Sequence, residues 1–391
     1  ESTEPAAAPV GSADDTKKDK ETIINELILL NAEMDFLFEA MRFRDVRTLI
    51  ENDVEAFKYF TEKAAMLIRS FVVEGHKRGG DETEKATIIQ AVRFLARLIP
   101  PLLSTNDTVL IQTFLWQKRY LPITQAPKPL AEGEEPLLLS LAEIIVKTVT
   151  SLLFYPRFSV PLNISRDAVH VLSDLSNTWY PGVGIEKIPD NQPTTQMLNF
   201  RRDVMKCVMA LFSQTLYNPL HHALDNRMLD LFIRVEPNFV KILLYSLINT
   251  ICSYDPIGWG MPYNHMLFQD VHFEVAEVAV QLLVILLNHY PSGGEPNPYV
   301  VALSEIKEEK ELRFMFEGIV RIFNAKINAA NTYLPGSRKQ LGCHQEILIF
   351  FWMLSLHNQS FVEFMTKVED CTRVINPILH IALESRKDDA S

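Results

Sequence analysis

Residues 252–270 read CSYDPIGWGMPYNHMLFQD and separate two segments with a helical pattern, at about 237–252 and 271–290. Pro256 and Pro262 each lock φ and remove a backbone donor, and the two glycines permit left-handed turns. The stretch can therefore be neither a helix interior nor a central strand, and we expect a shaped loop. It carries five large apolar side chains that must pack against something, namely Trp259, Met261, Met266, Leu267 and Phe268.

Apolar residues recur at helical spacing along most of the chain, with turn formers between the segments. Helices are predicted at about 53–74, 195–217, 223–234, 298–306, 308–330, 340–357 and 360–384, besides the two flanking segments. Further helices are expected from Asp81 to a stop at Pro100, near 107–116, and from a capping box of Ser140 and Glu143 to about Phe154. Ser360 and Glu363 form another predicted cap.

The absence of any long run with strand alternation predicts an all-α fold. Antiparallel helices of this length favour an irregular α-solenoid, a HEAT- or armadillo-like helical stack with long ordered loops. No exact repeat period is visible, so an irregular helical bundle stays open as the alternative.

The N-terminal residues suggest a tail followed by a helix. Residues 1–20 contain no periodic apolar position and predict a disordered tail, ahead of a helical domain over 21–391. One helix of about 20 residues is expected next, with an apolar face of Leu27, Leu30, Met34, Leu37 and Met41. That face is either a core-facing stripe or a coiled-coil seam for a partner. Sub-lobes are predicted at 21–154 and 195–391, joined by an irregular segment over 155–194.

Composition argues against several functional classes. The 38 basic and 49 acidic residues leave a net charge of −11 without a basic stripe, which argues against nucleic-acid binding and disfavours an anionic lipid surface. Four cysteines without Cys-x-x-Cys spacing are typical of reduced thiols in the cytosol. The longest apolar runs, 278–287 and 347–356, are shorter than the roughly 20 residues of a bilayer crossing, so both predict buried helices.

The sequence offers no reaction centre. It has no nucleophile motif and no glycine-rich phosphate loop, so neither catalytic nor cofactor-binding residues are predicted. The histidines and cysteines at His170, His221, His222, His265, His289, Cys343 and His344 lack the spaced pairs that a metal requires. No metal site is predicted, and His344 is interpreted as the start of a buried helix.

The loop at 252–270 is the candidate partner-binding site. Its aromatic residues combine large contact area with polar atoms, and the candidate contact residues are Tyr254, Asp255, Trp259, Tyr263 and His265. The competing interpretation is that the aromatics pack the loop onto the core and that Asp255 only initiates a turn. Arg338 and Lys339, with Lys326 and Arg321, form a small basic cluster that is a candidate contact for acidic lipid headgroups.

The segment Tyr254–Phe268 closely resembles a loop of the high-temperature-induced dauer formation (Hid) family. A second match covers 333–339 and continues through 344–352, and weaker ones lie at Phe154–Val160 and at Trp179 with Gly182-Val183-Gly184. The resemblance is specific over about 85–385 and covers the N-terminal portion of a family member.

The resemblance implies a non-enzymatic protein, peripheral on the cytosolic face of Golgi or trans-Golgi membranes. Such a protein would contact secretory-pathway proteins and serve cargo sorting and the formation of secretory vesicles or granules. The family's acylatable N-terminal glycine is not found here, which leaves the mode of membrane contact open. The alternative is a general cytosolic α-solenoid adaptor with no role at the Golgi.

Overall fold

The computed structural model describes residues 13–30, 32–74, 81–105, 107–121, 138–161, 175–186, 192–218, 225–234, 237–255, 270–330 and 342–388. The chain divides into two compact units, Glu1–Ile145 and Val146–Ser391. The division falls within a helix, earlier than the sub-lobe boundary predicted at 154. The described part of 155–194 belongs to the second unit.

The first unit is built around one long buried helix. Its elements are α1 (Ala13–Leu29), α2 (Met34–Ala40), α3 (Phe43–Asn52), α4 (Val54–Glu74), α5 (Glu82–Leu103), α6 (Thr108–Ile111), a π-helical turn (Gln112–Trp116), β1 (Arg119–Tyr120), β2 (Leu138–Leu139) and the start of α7 (Leu141–Leu152). Helix α5 packs against α1, α2, α3 and α4. The ring centroids of Phe60, on α4, and Phe94, on α5, lie 4.7 Å apart.

Among the described helices, α5 has the length and apolar composition of a membrane-spanning segment, and 78% of its apolar window is buried inside the protein. Strands β1 and β2 pair antiparallel, with Arg119 opposite Leu139. The capping box predicted for α7 is confirmed, because the Ser140 N–H donates to Glu143 Oε2 over 2.7 Å and the Glu143 N–H to Ser140 Oγ over 3.2 Å.

The second unit centres on two adjacent helices. After the end of α7 and a 3₁₀ turn (Leu175–Asn177) come α8 (Thr195–Leu211), a 3₁₀ turn (Ser213–Leu216), α9 (Arg227–Ile233), α10 (Pro237–Ser253), α11 (Val271–Leu287), α12 (Pro298–Ser304), α13 (Glu309–Ala330), α14 (His344–His357), α15 (Gln359–Lys367) and α16 (Thr372–Asp388). Helix α10 packs against α11, α12 and α13, and α11 also packs against α8 and α14.

Side-chain caps explain why many of these helices begin where they do. Thr194, Asn226, Asp270, Asn297 and Asn358 each accept a hydrogen bond from a backbone N–H in the first turn of the following helix. For α15 the cap is Asn358, whose Oδ1 accepts from the Phe361 N–H over 2.7 Å. The predicted cap at Ser360 is therefore wrong by two residues.

The all-α class is confirmed, since the described strands are limited to two residues each. The solenoid arrangement stays a prediction. Most predicted helices are present near their expected bounds, including 53–74, 237–252 and 308–330. The sequence also predicts a short helix at about 166–175 and a linker over 122–136, and apart from Leu175, which begins a 3₁₀ turn, both lie outside the described residues.

The structure divides each of two predicted long helices into two shorter helices. The helix expected to carry Leu27 through Met41 ends at Leu29 and restarts at Met34. Buried side chains of α5 bind the backbone at this break, because the Ala32 N–H donates to Gln90 Oε1 over 3.2 Å and Arg93 Nη1 donates to the Ala32 carbonyl over 2.5 Å. The helix predicted over 360–384 breaks between Lys367 and Thr372. There Asp370 Oδ1 accepts from the Thr372 N–H over 3.0 Å and restarts the helix.

Two other boundaries also differ from the prediction. Helix α5 passes through Pro100 and Pro101 and ends at Leu103, because Leu102 and Leu103 are held in the core. Helix α1 begins at Ala13, within the predicted tail, since elongating an existing helix costs little once a nucleus has formed. Residues 1–12 lie outside the described part of the chain.

Candidate partner-binding surface

Helix α10 holds the turn at 179–185 through one buried amide. Asn249 Oδ1 accepts from the Val183 N–H over 2.8 Å, and its Nδ2 donates to the carbonyls of Tyr180 (2.8 Å) and Val183 (3.0 Å). One turn earlier, Ser246 Oγ accepts from the Trp179 N–H over 3.2 Å. Because buried backbone groups are costly to leave unpaired, these bonds fix the turn on the helix.

The same turn requires glycine at Gly182. Its φ is +144°, and an added Cβ would lie 2.5 Å from Cε1 of Phe314. The backbone of the turn thus lies directly against α13, closer than a side chain would permit.

An aromatic and guanidinium cluster joins this turn to the one at 154–160. The Phe154 and Trp179 rings stack with their centroids 5.3 Å apart, and the Arg201 guanidinium lies 4.4 Å from the centre of the Trp179 ring. Arg201 is buried and its Nη2 donates to the Ser159 carbonyl over 2.8 Å. Burial lowers the pKa of Arg201 to about 10. Two segments that carry the family resemblance therefore meet at one guanidinium.

The predicted partner-binding loop is closed at its base. Tyr254 Oη lies 3.5 Å from Asp270 Oδ2, so the two ends of the loop meet. Arg321 Nε donates to the Tyr254 carbonyl over 3.2 Å, and Arg321 Nη2 donates to the Cys252 carbonyl. Burial raises the pKa of the Tyr254 phenol, and the Asp270 carboxylate raises it further.

The predicted site residues differ in their exposure to solvent, and several lie outside the described residues. Tyr254 is buried, with 8% of its surface exposed, so for this residue the structure favours packing on the core over an exposed contact. Asp255 is exposed. Trp259, Tyr263 and His265, and the basic pair Arg338 and Lys339, lie outside the described residues. Arg321 is not available for lipid headgroups, because its guanidinium binds the two backbone carbonyls at the loop base.

The described histidines and cysteines lie in surroundings typical of residues that support the fold. His289 Nε2 lies 2.8 Å from Asp230 Oδ1, both largely buried, and the Ser292 N–H also donates to that oxygen over 3.2 Å. The described part of the chain contains no group of three or more metal-binding side chains. The four cysteines are free. Burial raises the pKa of the Cys252 and Cys343 thiols to about 12.

An exposed apolar face on α14 was not anticipated from the sequence. The run 347–356 was predicted to be buried, and this is wrong for one side of the helix. Leu348 is 42% exposed, Trp352 55% and Leu356 59%, and their spacing of four residues places them on one face. We call these three residues the α14 stripe. The opposite face, with Ile347, Phe350 and Leu354, is buried.

Periodicity could not have located this face, because an apolar run with almost no polar residue gives no indication of which side meets solvent. The one available signal is Trp352 itself. Tryptophan is common at interfaces, and this one belongs to a segment that carries the family resemblance.

Comparison with known proteins identifies one family over most of the chain. The family profile described as high-temperature-induced dauer-formation protein, Hid1, matches residues 24–391. "Protein HID1" of Mus musculus is 30% identical over 351 residues, covering 82% of this chain and 43% of the relative. "Protein HID1" of Homo sapiens is 29% identical over 350 residues, with the same coverage.

A more distant relative is the "Ubp5-interacting protein ftp105" of Schizosaccharomyces pombe, 24% identical over 268 residues that cover 64% of this chain and 28% of the relative. This chain spans less than half the length of these curated relatives. No solved structure gave a significant match. Since the family profile covers nearly the whole chain, the chain belongs to the Hid1 family of high-temperature-induced dauer-formation proteins.

Proposed function

We propose that this chain is part of a non-enzymatic scaffold that holds protein partners at the cytosolic face of the Golgi or trans-Golgi network. Those contacts serve the sorting of secretory cargo and the formation of secretory vesicles or granules. Membership of the Hid1 family supports the proposal. The name of the S. pombe relative, which describes it as interacting with Ubp5, supports contact with proteins as the mode of action.

The observation that carries the proposal is the α14 stripe. Trp352 presents an indole to solvent between two exposed leucines one turn away on either side. Contiguous exposed apolar surface of this kind marks sites of contact, and tryptophan is among the residues that dominate binding energy. The partner it fits is a protein with an apolar pocket that accepts the indole ring.

The thiol environments support action by contact. A cysteine nucleophile reacts as the thiolate, and burial raises the pKa of the Cys207, Cys252 and Cys343 thiols well above neutral pH. Such raised pKa values disfavour a thiolate nucleophile, which supports a packing role for these three cysteines.

The test is proximity labelling in cells with the full-length protein carrying Trp352→Ala. We expect loss of one or more labelled neighbours, because removing an interface tryptophan typically costs about 2 kcal/mol or more of binding free energy. The matched control is Tyr290→Ala, another aromatic in the second unit that is 73% exposed. Both variants should keep the wild-type melting temperature. An unchanged set of labelled neighbours for Trp352→Ala would show that the α14 stripe is not a partner-binding surface.

The Golgi role has a separate test. Wild-type full-length protein should sediment with Golgi membranes in a cell fractionation. A general cytosolic adaptor would stay in the supernatant and still show the Trp352-dependent neighbours. The two measurements therefore distinguish a wrong location from a wrong surface.

A further inference from the structure

Helix α16 has apolar residues on two sides. On one side it packs against α13, with Val374 and Pro377 buried. On another side Ile375 is 41% exposed, Leu379 55% and Leu383 60%, and their spacing of four residues places them on one face. We call these three residues the α16 face. A helix that is apolar on two sides is normally covered on both.

The composition of the α16 face favours contact with another helix. Its three side chains are aliphatic, as in the seams that join paired helices, and it lacks the aromatic anchor of the α14 stripe. Asn376 and Ala382, three residues to either side of Leu379, are also exposed and carry no charge. A second helix can therefore lie along this face without burying a charge.

The α16 face is symmetric about Leu379. Ile375 lies four residues before Leu379, and Leu383 lies four residues after it. If two α16 helices pair antiparallel with Leu379 at the two-fold axis, Ile375 of each copy lies opposite Leu383 of the other. The same three residues thus form both halves of one apolar contact.

Opposite charges lie at the two ends of the α16 face. Thr372 and Arg386 lie seven residues before and after Leu379, on its side of the helix. The Asp370 carboxylate is held beside Thr372, because its Oδ1 accepts from the Thr372 N–H over 3.0 Å and from Thr372 Oγ1 over 2.8 Å. Asp370 and Arg386 are both exposed. An antiparallel pair brings Arg386 of each copy to Asp370 of the other, whereas a parallel pair would bring like charges together.

We infer that α16 pairs antiparallel with α16 of a second copy of this chain, about a two-fold axis at Leu379. The charge pattern favours a second copy over an unrelated protein, because one surface supplies both the acid and the base that the contact needs. The pairing gives the proposed scaffold two copies of the α14 stripe. It does not depend on what that stripe binds.

Sedimentation velocity of the whole chain measures the pairing. The contact is small for a protein interface, so we expect a reversible dimer that dissociates in the micromolar range. Leu379→Lys should weaken the dimer about 100-fold or more, since the two-fold axis brings both new ammonium groups together. The matched control is Leu356→Lys on α14, where Leu356 is 59% exposed, and it should leave the dimer unchanged.

Two charge variants test the antiparallel geometry. Asp370→Arg and Arg386→Asp should each weaken the dimer about fivefold, because each replaces two attractions by two repulsions. An equimolar mixture of the two variants should dimerise like the wild type, since opposite charges then meet at both ends. Arg44→Asp, at an exposed cation of α3, is the charge control and should have no effect. Thermal unfolding checks the fold of each variant, and if Leu379→Lys does not fold, the charge variants decide.

Three results would overturn the inference. They are a monomer at every concentration up to about 100 μM, a dimer that folded Leu379→Lys leaves intact, and a mixture of the charge variants that dimerises no better than either variant alone. The full-length protein should also be a dimer. A monomeric full-length protein in which the α16 amides are protected from hydrogen exchange would overturn the inference as well, and would show that the rest of the polypeptide covers the α16 face.

Discussion

At the scale of residues, a few buried polar side chains hold irregular backbone onto the helices. Asn249 satisfies three backbone groups of the turn at 180–183, and Arg321 binds two carbonyls at the base of the 252–270 loop. The family-resembling segments at 154–160 and 179–184 thus have an architectural role in this chain. They keep their conformation because long-range side chains take their backbone hydrogen bonds.

Replacing Asn249 by Ala should lower the free energy of unfolding by about 2–4 kcal/mol, since it leaves a buried N–H and two carbonyls without partners. Urea unfolding followed by circular dichroism measures the change. Asn238→Ala, on an exposed position of the same helix, is the control and should stay within about 0.5 kcal/mol of the wild type. Equal stabilities for the two variants would mean that the turn does not depend on the amide.

Replacing Gly182 by Ala tests the close approach to α13. The new methyl would meet the Phe314 ring, so Gly182→Ala should cost about 1–3 kcal/mol more than Gly293→Ala. Gly293 also has a positive φ, of +106°, but an added Cβ there would meet nothing within 4 Å. The pair separates the cost of the clash from the cost of the backbone conformation. Similar melting temperatures for both variants would contradict the structure.

At the scale of elements, tertiary contacts decide where helices break. The apolar spacing from Leu27 to Met41 is continuous in the sequence, yet α5 provides Gln90, Arg93 and Arg97 to bind backbone groups at the break and at the end of α2. Two short helices result because their terminal backbone groups have partners on a third helix.

Arg97→Met should therefore loosen α2. Arg97 Nη2 donates to the Phe38 carbonyl over 3.0 Å and Nε donates to the Met41 carbonyl, so losing both should cost about 1–3 kcal/mol. Hydrogen exchange should speed up most at the amides of α2. Arg47→Met, which removes an exposed pair with Glu51, should cost less than about 1 kcal/mol. Uniform exchange in Arg97→Met would indicate that α2 does not depend on this cap.

At the scale of the whole molecule, charge pairs set part of the response to acid. Arg373 binds Glu317 through two contacts of 2.7 Å, and this hydrogen bonding lowers the pKa of Glu317 below its usual 4.5. A carboxylate whose pKa is lower in the folded state stabilises the fold above its unfolded pKa. That contribution is lost as the pH falls through the lowered value.

Glu317→Gln should therefore reduce the loss of stability between about pH 5 and pH 3, by at most about 1 kcal/mol because the Glu317 side chain is 43% exposed. Urea unfolding at several pH values measures the difference from the wild type. Glu51→Gln, at the exposed helical pair with Arg47, is the matched surface control. A steeper loss of the free energy of unfolding with falling pH in Glu317→Gln than in the wild type would contradict a stabilising role for this carboxylate.

The sequence by itself determined the fold class, most helix positions and the family. Apolar periodicity, proline and glycine punctuation, and caps act within about four residues of each other, so they can be read locally. That is why α4, α10 and α13 lie where they were expected. The resemblance of the loop at 254–268 was likewise a local signal.

Only the tertiary structure decided which side of α14 meets solvent, that Tyr254 is buried, that α1 and α2 are separate, and that Gln90 is buried with its Oε1 bound to the Ala32 N–H. These features depend on partners that are distant in sequence, such as Ala32 and Gln90, which are 58 residues apart. Burial and backbone pairing are set by the whole packed unit, and the local pattern of one segment does not specify which distant segment covers it.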